Sequence, residues 1–182
     1  EYPFTVYSTR MVEANLIGQT VDISGTASQK VQGSSVSSPP IETLNISTDT
    51  MIELLPEKTK LTSSEFFTRF YRDYKNARTK IVANSSGDIL SMQIYDDTIN
   101  RPELKDIRTA KVAEKELSSG NVTLTDIRTW TGDSWSTGVK SMTLDFSDAL
   151  VIVNGAPSRL DRVLKGANVD VITDVNTGHT II

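Results

Sequence analysis

Cysteine is absent from this 182-residue chain, and histidine occurs once, as His179. Without cysteine there are no disulfides, no thiolate nucleophiles and no cysteine ligands for a metal. A single histidine leaves a histidine-based catalytic triad without evident partners. His179 follows a turn glycine, where a solvated hairpin residue is the expected interpretation. The sequence therefore predicts that the protein is not an enzyme and that it holds no metal.

Basic runs and long apolar runs are also missing. The formal net charge is −4, which provides no positive field to attract nucleic acid. No apolar stretch approaches the length of a membrane-spanning helix, and the first residues do not form a signal peptide. We predict neither nucleic-acid binding nor membrane insertion. Because the chain starts without Met and ends on the apolar pair Ile181-Ile182, we expect it to belong to a longer protein.

Motifs that carry catalytic or cofactor chemistry are lacking as well. There is no phosphate-binding loop, nucleophile elbow or dinucleotide fingerprint. The spacing of Glu13, Glu53 and Glu65 does not support a glycosidase pair. We therefore predict no cofactor.

Calcium is the one ion that acidic residues near turns could bind. The candidate groups are Asp96 and Asp97 with Asn100, and Asp145 with Asp148. Calcium needs six to eight oxygen ligands, and no EF-hand spacing is present. Ordinary turn chemistry is the preferred interpretation of these aspartates, and a calcium site remains the alternative.

An internal repeat is the strongest pattern in the chain. The matching blocks are 9–12 with 109–112, 20–23 with 121–124, 44–52 with 144–152, Leu61 with Leu160, and 81–87 with 171–178. Five blocks in the same order and the same apolar phase indicate a tandem duplication. We predict two modules, residues 1–95 and 96–182, joined by the polar segment 96–102.

Alternating apolar and polar residues predict five or six short strands in each module. The last two strands form a hairpin, over residues 80–83 and 89–94 in copy one and over 169–173 and 180–182 in copy two. One helix precedes each hairpin. The predicted fold is mainly β, with two tandem small β-barrel-like modules that each carry one short helix before the last hairpin.

The helices of the two copies differ. In copy one, Thr62 and Glu65 form a capping box, and an aromatic-rich helix is predicted over about 63–76. In copy two, a shorter segment offers only three apolar residues, Leu160, Val163 and Leu164.

The aromatic residues of the first helix fall on one face. That stripe consists of Phe67, Phe70, Tyr71 and Tyr74. We predict that Phe70 lies in the core of module one. Because copy two closes with less apolar surface, we also predict that Phe66 or Tyr74 contacts module two or a neighbouring subunit.

Two tryptophans, Trp130 and Trp135, flank the turn at Gly132-Asp133. Aromatic rings in a loop can stack on sugar rings, which predicts a candidate ligand-binding site for a cell-wall polysaccharide. The alternative is that the rings pack against the neighbouring module or cap the predicted barrel.

The second copy resembles a repeat module of S-layer and related cell-surface proteins of Gram-positive bacteria such as Bacillus and Clostridium. The residues that carry the resemblance are Val151-Ile152-Val153-Asn154-Gly155, Leu160, Leu164-Lys165-Gly166, Val169-Asp170-Val171, Asn176-Thr177-Gly178 and Ile181-Ile182. Copy one departs from this pattern, since Leu54-Leu55-Pro56 stands where Asn-Gly is expected. The resemblance implies a structural or spacer module and supplies no catalytic residues.

The sequence thus predicts a non-catalytic structural or assembly module of an extracellular, cell-surface protein. Its expected partners are neighbouring domains of the same chain or identical subunits. Two alternatives remain: a module that binds carbohydrate or a cell-wall polymer, and a structural protein of a phage or virion.

Overall fold

The computed structural model describes residues 4–24, 28–30, 41–95, 104–131, 134–174 and 178–182. The chain divides into two compact units, Glu1–Pro102 and Glu103–Ile182. The predicted division after residue 95 coincides with the end of the last strand of the first unit. The predicted junction, residues 96–102, lies outside the described residues.

The first unit consists of β-strands and one helical segment. Its described strands are β1 (Phe4–Asn15), β2 (Thr20–Ser24), β3 (Ser28–Lys30), β4 (Ile41–Asn45), β5 (Met51–Leu55), β6 (Thr59–Leu61), β7 (Arg78–Asn84) and β8 (Ile89–Tyr95). Helix α1 (Ser63–Arg69) continues directly into a π-turn (Phe70–Tyr74) between β6 and β7.

The second unit repeats this plan with a smaller helical segment. Its described strands are β9 (Leu104–Glu116), β10 (Asn121–Trp130), β11 (Trp135–Ser136), β12 (Ser141–Asp145), β13 (Leu150–Val153), β14 (Ala156–Ser158), β15 (Asn168–Asp174) and β16 (Gly178–Ile181). A single 3₁₀ turn (Leu160–Arg162) stands where α1 and the π-turn lie in the first unit.

The two sheets have the same strand order. In the first unit the order is β4-β2-β1-β7-β8-β5-β6, and β3 pairs with the other part of β1. In the second unit β12 and β11 both pair with β10, and the order continues as β9-β15-β16-β13-β14. The pair β5–β8 and its counterpart β13–β16 are parallel, and the other pairs are antiparallel. This confirms the mainly β fold and the prediction of one strand order for both copies.

The barrel-like modules predicted from the sequence are not closed, because no closed barrel is found among the described strands. The described strands of each sheet follow an open path, and in unit one its end strand β4 meets the β7–β8 turn through a bridge between Asn45 and Asp88. The prediction relied on the need to avoid unpaired strand edges, but short and charged edge strands meet that need without closure. Strand β6 has only three residues; Lys58 precedes it and Lys60 is its middle residue.

Both units carry a β-bulge at the same place. In the pairing of β1 with β2, the register shifts between Met11 and Glu13. In the pairing of β9 with β10, it shifts between Val112 and Glu114. Met11 and Val112 are both buried in the cores of their units. A bulge inserts one extra residue on one strand, so its repetition fixes Met11 and Val112 as equivalent positions.

Two of the predicted repeat alignments are therefore one residue out of register. Aligning residues 9–12 with 109–112 places Met11 opposite the exposed Lys111 rather than the buried Val112. In a strand, a shift of one residue turns every side chain to the other face. The apolar/polar pattern alone does not determine the offset in residue number between the two copies.

The second error lies in the block 44–52. Its first half is correct, since Leu44 pairs with Val21 and Leu144 pairs with Val122. In its second half, the counterpart of Ile52 is Val151 instead of Ile152. The parallel pairs show this equivalence, because Ile52 lies beside Met92 and Val151 lies beside Ile181.

The capping box at the start of α1 is confirmed. The Thr62 hydroxyl accepts a hydrogen bond from the Glu65 backbone N–H at 3.1 Å, and the Glu65 carboxylate accepts one from the Thr62 N–H at 2.8 Å. The helical segment ends at Tyr74 rather than about residue 76.

The predicted aromatic stripe is partly wrong. Phe66 and Phe70 are fully buried, whereas Tyr71 is 63% exposed. The buried residues Phe66, Phe70 and Tyr74 are spaced by four, and the π-turn widens the last turn so that this spacing stays on one face. Phe70 lies in the core of the first unit, as predicted.

The helix predicted in copy two is also wrong in length. Only a 3₁₀ turn forms, and Leu164, which was placed on the apolar stripe, is 71% exposed. Val163 is buried and Leu160 is partly buried in the core of the second unit. The segment is too short to form enough hydrogen bonds to offset the unfavourable nucleation of an α-helix. The Lys115 ammonium stabilises the turn by donating to the carbonyls of Leu160, Asp161 and Val163.

Candidate functional site: a cleft in the first unit

The two tryptophans face each other across the hairpin of β10 and β11. Trp130 pairs with Trp135, and their ring centroids are 5.2 Å apart with an interplanar angle of 59°. The Thr131 N–H donates to the Ser134 carbonyl at 2.9 Å in the adjacent pair. Both tryptophans are half-buried, and neither belongs to the core cluster of the second unit. The pair thus keeps exposed aromatic surface, and its role in ligand binding stays a prediction.

Phe66 and Tyr74 both lie in the core of the first unit. Their rings stack with centroids 5.9 Å apart and an interplanar angle of 5°. Phe66 also makes edge contacts with Phe67 and Phe70. The inter-module contact predicted for these residues rested on surplus aromatic surface, and this packing uses that surface within unit one. A contact of these residues with module two or a neighbouring subunit stays a prediction, and the surplus aromatic surface no longer supports it.

The remaining candidates adopt structural geometry. His179 Nδ1 lies 2.9 Å from the Thr173 hydroxyl, and its ring centroid is 5.2 Å from that of Phe146. Asp145 accepts the Ser147 backbone N–H at 2.8 Å, which lowers the pKa of its carboxyl. This geometry is that of a turn aspartate. Asp96, Asp97 and Asn100 lie outside the described residues, and within the described ones no acidic or histidine cluster of three forms.

A cleft of about 540 Å³, the unit-one cleft, opens beside the π-turn. Its apolar lining consists of Leu54, Leu55, Ala77, Ile94 and Tyr95, and its polar lining consists of Arg10, Glu57, Arg72, Asp73, Tyr74, Lys75 and Asn76. Strands β1, β5 and β8 supply one side, and the chain from the π-turn to the start of β7 supplies the other.

The chain after the π-turn is fixed to β1 by backbone hydrogen bonds. The Lys75 N–H donates to the Phe70 carbonyl at 2.8 Å, five residues back, which closes the π-turn. Asn76 then donates to the Met11 carbonyl at 2.7 Å, and Met11 donates to the Ala77 carbonyl at 3.2 Å. Single π-turns occur frequently at functional sites, where they redirect side chains. Here the turn directs several polar side chains to the rim of the cleft.

Ion pairs neutralise part of the charge at the rim. Asp73 accepts hydrogen bonds at 2.9 Å from Arg72 and from Arg69. Hydrogen bonds from Arg72 and then Arg69 lower the pKa of the Asp73 carboxyl to about 2. Lys75 lies 3.9 Å from the Glu13 carboxylate. Asp73 is therefore ionised and fully occupied by arginines.

Arg10 is the least occupied cation of the rim. One of its terminal nitrogens donates to the Asn76 carbonyl at 2.7 Å. No carboxylate of the described residues forms an ion pair with Arg10. A guanidinium carries five N–H donors, so Arg10 keeps donors for another partner.

Tyr74 lines the cleft, but its hydroxyl oxygen is sealed from solvent. Tyr74 is only 4% exposed, and its hydroxyl has no hydrogen-bond partner among the described residues. Burial raises the pKa of this phenol, so it remains protonated at neutral pH. Leaving a buried hydroxyl unpaired costs about 1–3 kcal/mol, which calls for an explanation.

The second unit has the same turn, in which Lys165 and Ala167 match Lys75 and Ala77. We call residues 74–77 and 164–167 the anchor turns. Ala167 donates to the Leu164 carbonyl as Ala77 donates to that of Tyr74, and Gly166 donates to the Val112 carbonyl as Asn76 donates to that of Met11. Tyr74 thus corresponds to Leu164, whose side chain is exposed. The Tyr74 hydroxyl thus has no counterpart in unit two, where a leucine stands at the equivalent position.

Sequence reasoning noted these extra residues but not the cleft. The signal available was the polar run from Arg72 to Asn76, which follows an aromatic cluster. That run does not reveal that β5 and β8 lie opposite it, because the strands are distant in sequence.

No protein-family model, curated protein or solved structure matches the chain. The resemblance of copy two to S-layer repeat modules accordingly stays a prediction. No described helix combines the length and the apolar character needed to cross a membrane.

Proposed function

We propose that the chain is a non-catalytic structural pair of modules from an extracellular, S-layer-like protein of a bacterial cell surface. It acts through contacts with neighbouring domains of the same chain or with identical subunits. The observation that carries this proposal is the nature of the features that the two units share.

The shared features serve folding. Both units repeat the bulge in the first strand of the sheet, and both repeat a left-handed residue before the second strand. The carbonyl of that residue, Gln19 in one unit and Gly120 in the other, accepts a hydrogen bond at 2.8 Å from Ile46 or Phe146. A Cβ on Gly120 would lie 2.6 Å from the Ser147 backbone nitrogen, so glycine is required there.

An ion pair between the anchor turn and the first strand is also repeated. Lys75 lies 3.9 Å from Glu13, and Lys165 lies 2.5 Å from Glu114. Both pairs are exposed, so each contributes little stability. Their repetition marks a common way of attaching the turn to the sheet. Duplication of folding elements, with different exposed side chains on each copy, supports a spacer or assembly role.

Open sheet edges support assembly between copies. The outer side of β4 meets the β7–β8 turn at its last residue, where the Asn45 N–H donates to the Gly87 carbonyl at 2.8 Å. No described strand pairs with the rest of that side, which begins at Ile41, 56% exposed. Unpaired strand edges are templates for pairing with another chain. Strand β6 at the opposite end of the sheet carries the protective Lys60, which leaves β4 as the edge better suited to association.

Sedimentation velocity over a concentration series tests this proposal. We expect the weight-average sedimentation coefficient to rise reversibly with concentration. The variant Ile41→Lys should weaken the association, because a charge on an edge strand opposes pairing. Leu164→Lys, which changes an exposed leucine in the second unit, serves as the matched control. A chain that remains monomeric throughout the series contradicts assembly through identical copies.

A second candidate function is binding of cell-wall carbohydrate by Trp130 and Trp135. The half-buried, paired rings favour it, because sugars stack on partly exposed aromatic faces. Trp130→Ala and Trp135→Ala should then abolish retention on purified cell-wall polymer at an unchanged melting temperature. A lowered melting temperature with unchanged retention would show that the rings act in packing.

A further inference from the structure

We propose that Asn154 is a site of spontaneous covalent modification, at which the side-chain amide is lost and the main chain of the β13–β14 turn is altered. Asn154 and Gly155 form the only Asn-Gly pair of the chain, and the corresponding turn of unit one, residues 56–58, contains no asparagine. The site lies between two strands of one unit and is independent of the assembly role.

The reaction needs only the chain and water. The backbone nitrogen of Gly155 attacks the side-chain carbonyl carbon of Asn154, and the Gly155 proton and the Asn154 amide leave together as ammonia, so that a cyclic imide forms. Water then adds to either carbonyl of the imide and opens the ring. One opening gives aspartate, and the other gives isoaspartate, in which the main chain runs through the side-chain carboxyl carbon.

The first argument is access to the reacting atoms. Asn154 and Gly155 are both exposed, and a Cβ at Gly155 would meet no atom of the described residues within 4 Å. Glycine has no side chain that would hinder the attack of its nitrogen. The space around the turn therefore accommodates the imide ring and the water that opens it.

The second argument is the freedom of the Asn154 side chain, which forms no hydrogen bond among the described residues. Asn84 is the opposite case. Its Oδ1 accepts the N–H groups of Ser86 and Asp88 at 3.0 and 2.9 Å, and its Nδ2 donates to Asp88 at 3.2 Å. An amide held in this way rotates towards the nitrogen of the next residue only after these hydrogen bonds break, whereas the Asn154 amide rotates freely.

The third argument is the conformation and position of the turn. The φ angles of Asn154 and Gly155 are 53° and 77°, and these residues form a two-residue loop of type I′ between the paired Val153 and Ala156. Ring closure needs rotation of the Asn154 backbone out of this conformation, so the reaction proceeds from the opened hairpin. Strand β14 has three residues, ends the sheet path and contains Pro157, which has no N–H to donate. The hairpin therefore opens at a low free energy.

Isoaspartate at position 154 disrupts the turn. It adds a carbon atom to the main chain, and a two-residue type I′ loop joins two strands well only because its backbone twist matches theirs. Strand β14 is attached to β13 by three residue pairs, which we expect to weaken. The new carboxylate also makes the net charge one unit more negative than −4.

Incubation of the full chain in mildly alkaline buffer, with a mildly acidic buffer as reference, tests the reaction. Alkaline conditions favour it because the attacking Gly155 nitrogen must lose its proton. Peptide mapping by mass spectrometry, with electron-transfer fragmentation to distinguish isoaspartate from aspartate, follows each asparagine. The matched control is Ser85→Gly, which gives Asn84 the same neighbour while its amide stays hydrogen-bonded. We expect Asn154 to react at least about tenfold faster than Asn84 of this variant, because the Asn84 hydrogen bonds must break first.

Two further variants separate the modification from its effect on the fold. Asn154→Gln should not react over the same period, because glutamine would have to close a larger ring. Freshly prepared Asn154→Asp carries the added charge on an unaltered main chain. Hydrogen exchange should be faster in β13 and β14 of the incubated chain, and unchanged there in both variants and in β7 and β8 throughout.

The proposal is overturned if Asn154 stays intact over a period in which the urea-unfolded chain is fully converted at this position. It is also overturned if Asn84 of the Ser85→Gly variant reacts as fast as Asn154. Equal hydrogen exchange in β14 before and after conversion to isoaspartate would contradict the loss of strand pairing.

Discussion

The two units make the same connection between corresponding strands with segments of different length. In unit one, residues 62–77 form α1, the π-turn and the anchor turn. In unit two, residues 159–167 form one 3₁₀ turn and the anchor turn. The longer segment adds Phe66, Phe70 and Tyr74 to the core, whereas the shorter one leaves Leu164 in solvent. Added length between fixed anchors has thus produced both a larger core and a cleft.

The largest expected effect concerns the aromatic core of unit one. Phe70→Ala and Phe66→Ala should each lower the free energy of unfolding of unit one by about 3–5 kcal/mol, because both rings are fully buried. Hydrogen exchange should show lost protection in β7 and β8 and retained protection in β15 and β16. If Phe66→Ala changed only the solution radius, an inter-module role for this ring would be supported instead.

The next effect concerns Lys115, which stabilises the 3₁₀ turn of unit two. Lys115→Met should lower the free energy of unfolding of unit two by about 1–2 kcal/mol, because three carbonyls lose a charged donor. Urea denaturation measures the change. Lys111→Met, on the exposed side of the same strand, is the control, and an equal loss in both variants contradicts a specific role for Lys115.

A smaller effect is expected at the capping box of α1. Thr62→Ala should destabilise unit one by about 1 kcal/mol, the usual cost of losing an N-cap side chain. Ser63→Ala, one residue later, should be nearly neutral. Thermal denaturation followed by far-ultraviolet circular dichroism compares the two, and similar melting temperatures would contradict the capping role.

A further difference between the units is expected in the pH dependence of their stability. The position of Lys80 in β7 corresponds to that of Asp170 in β15, and burial raises the pKa of the Asp170 carboxyl from 3.8 to about 6. The folded state then binds more protons than the unfolded state between these values, so unit two loses stability as pH rises through this range. Asp170→Asn should remove that loss. Denaturation midpoints at pH 4 and pH 7 measure it, and an unchanged slope would contradict the assignment.

Local signals predicted much of this architecture. The hairpin of β7 and β8 was evident from two apolar segments around Asn84-Ser85-Ser86-Gly87, and Thr62 with Glu65 specified the start of α1. These features depend on residues that are close in sequence, so they can be predicted without knowing the fold. The repeat was detectable for the same reason, since equivalent turns retain equivalent residues.

Other features depend on partners that are distant in sequence. The bulge between Met11 and Glu13 shifts the register, and its place is set by pairing with β2. Because of the π-turn at Phe70, Phe66 is on the buried face of the helical segment and Tyr71 is exposed. The regular helical period of 3.6 residues predicts the opposite. The cleft forms because β5 and β8 lie beside Tyr74, and no local sequence pattern predicts that these segments are close in space.

The anchor turns have a practical consequence for engineering. Because Asn76 and Gly166 attach to β1 and β9 through the same pair of backbone hydrogen bonds, the sheet is insensitive to the length of chain that precedes each turn. The segment before the turn is therefore a natural insertion point. Transplanting residues 62–74 of the first unit in place of residues 159–164 of the second would create a hybrid module, in which new loops could be displayed on an unchanged framework.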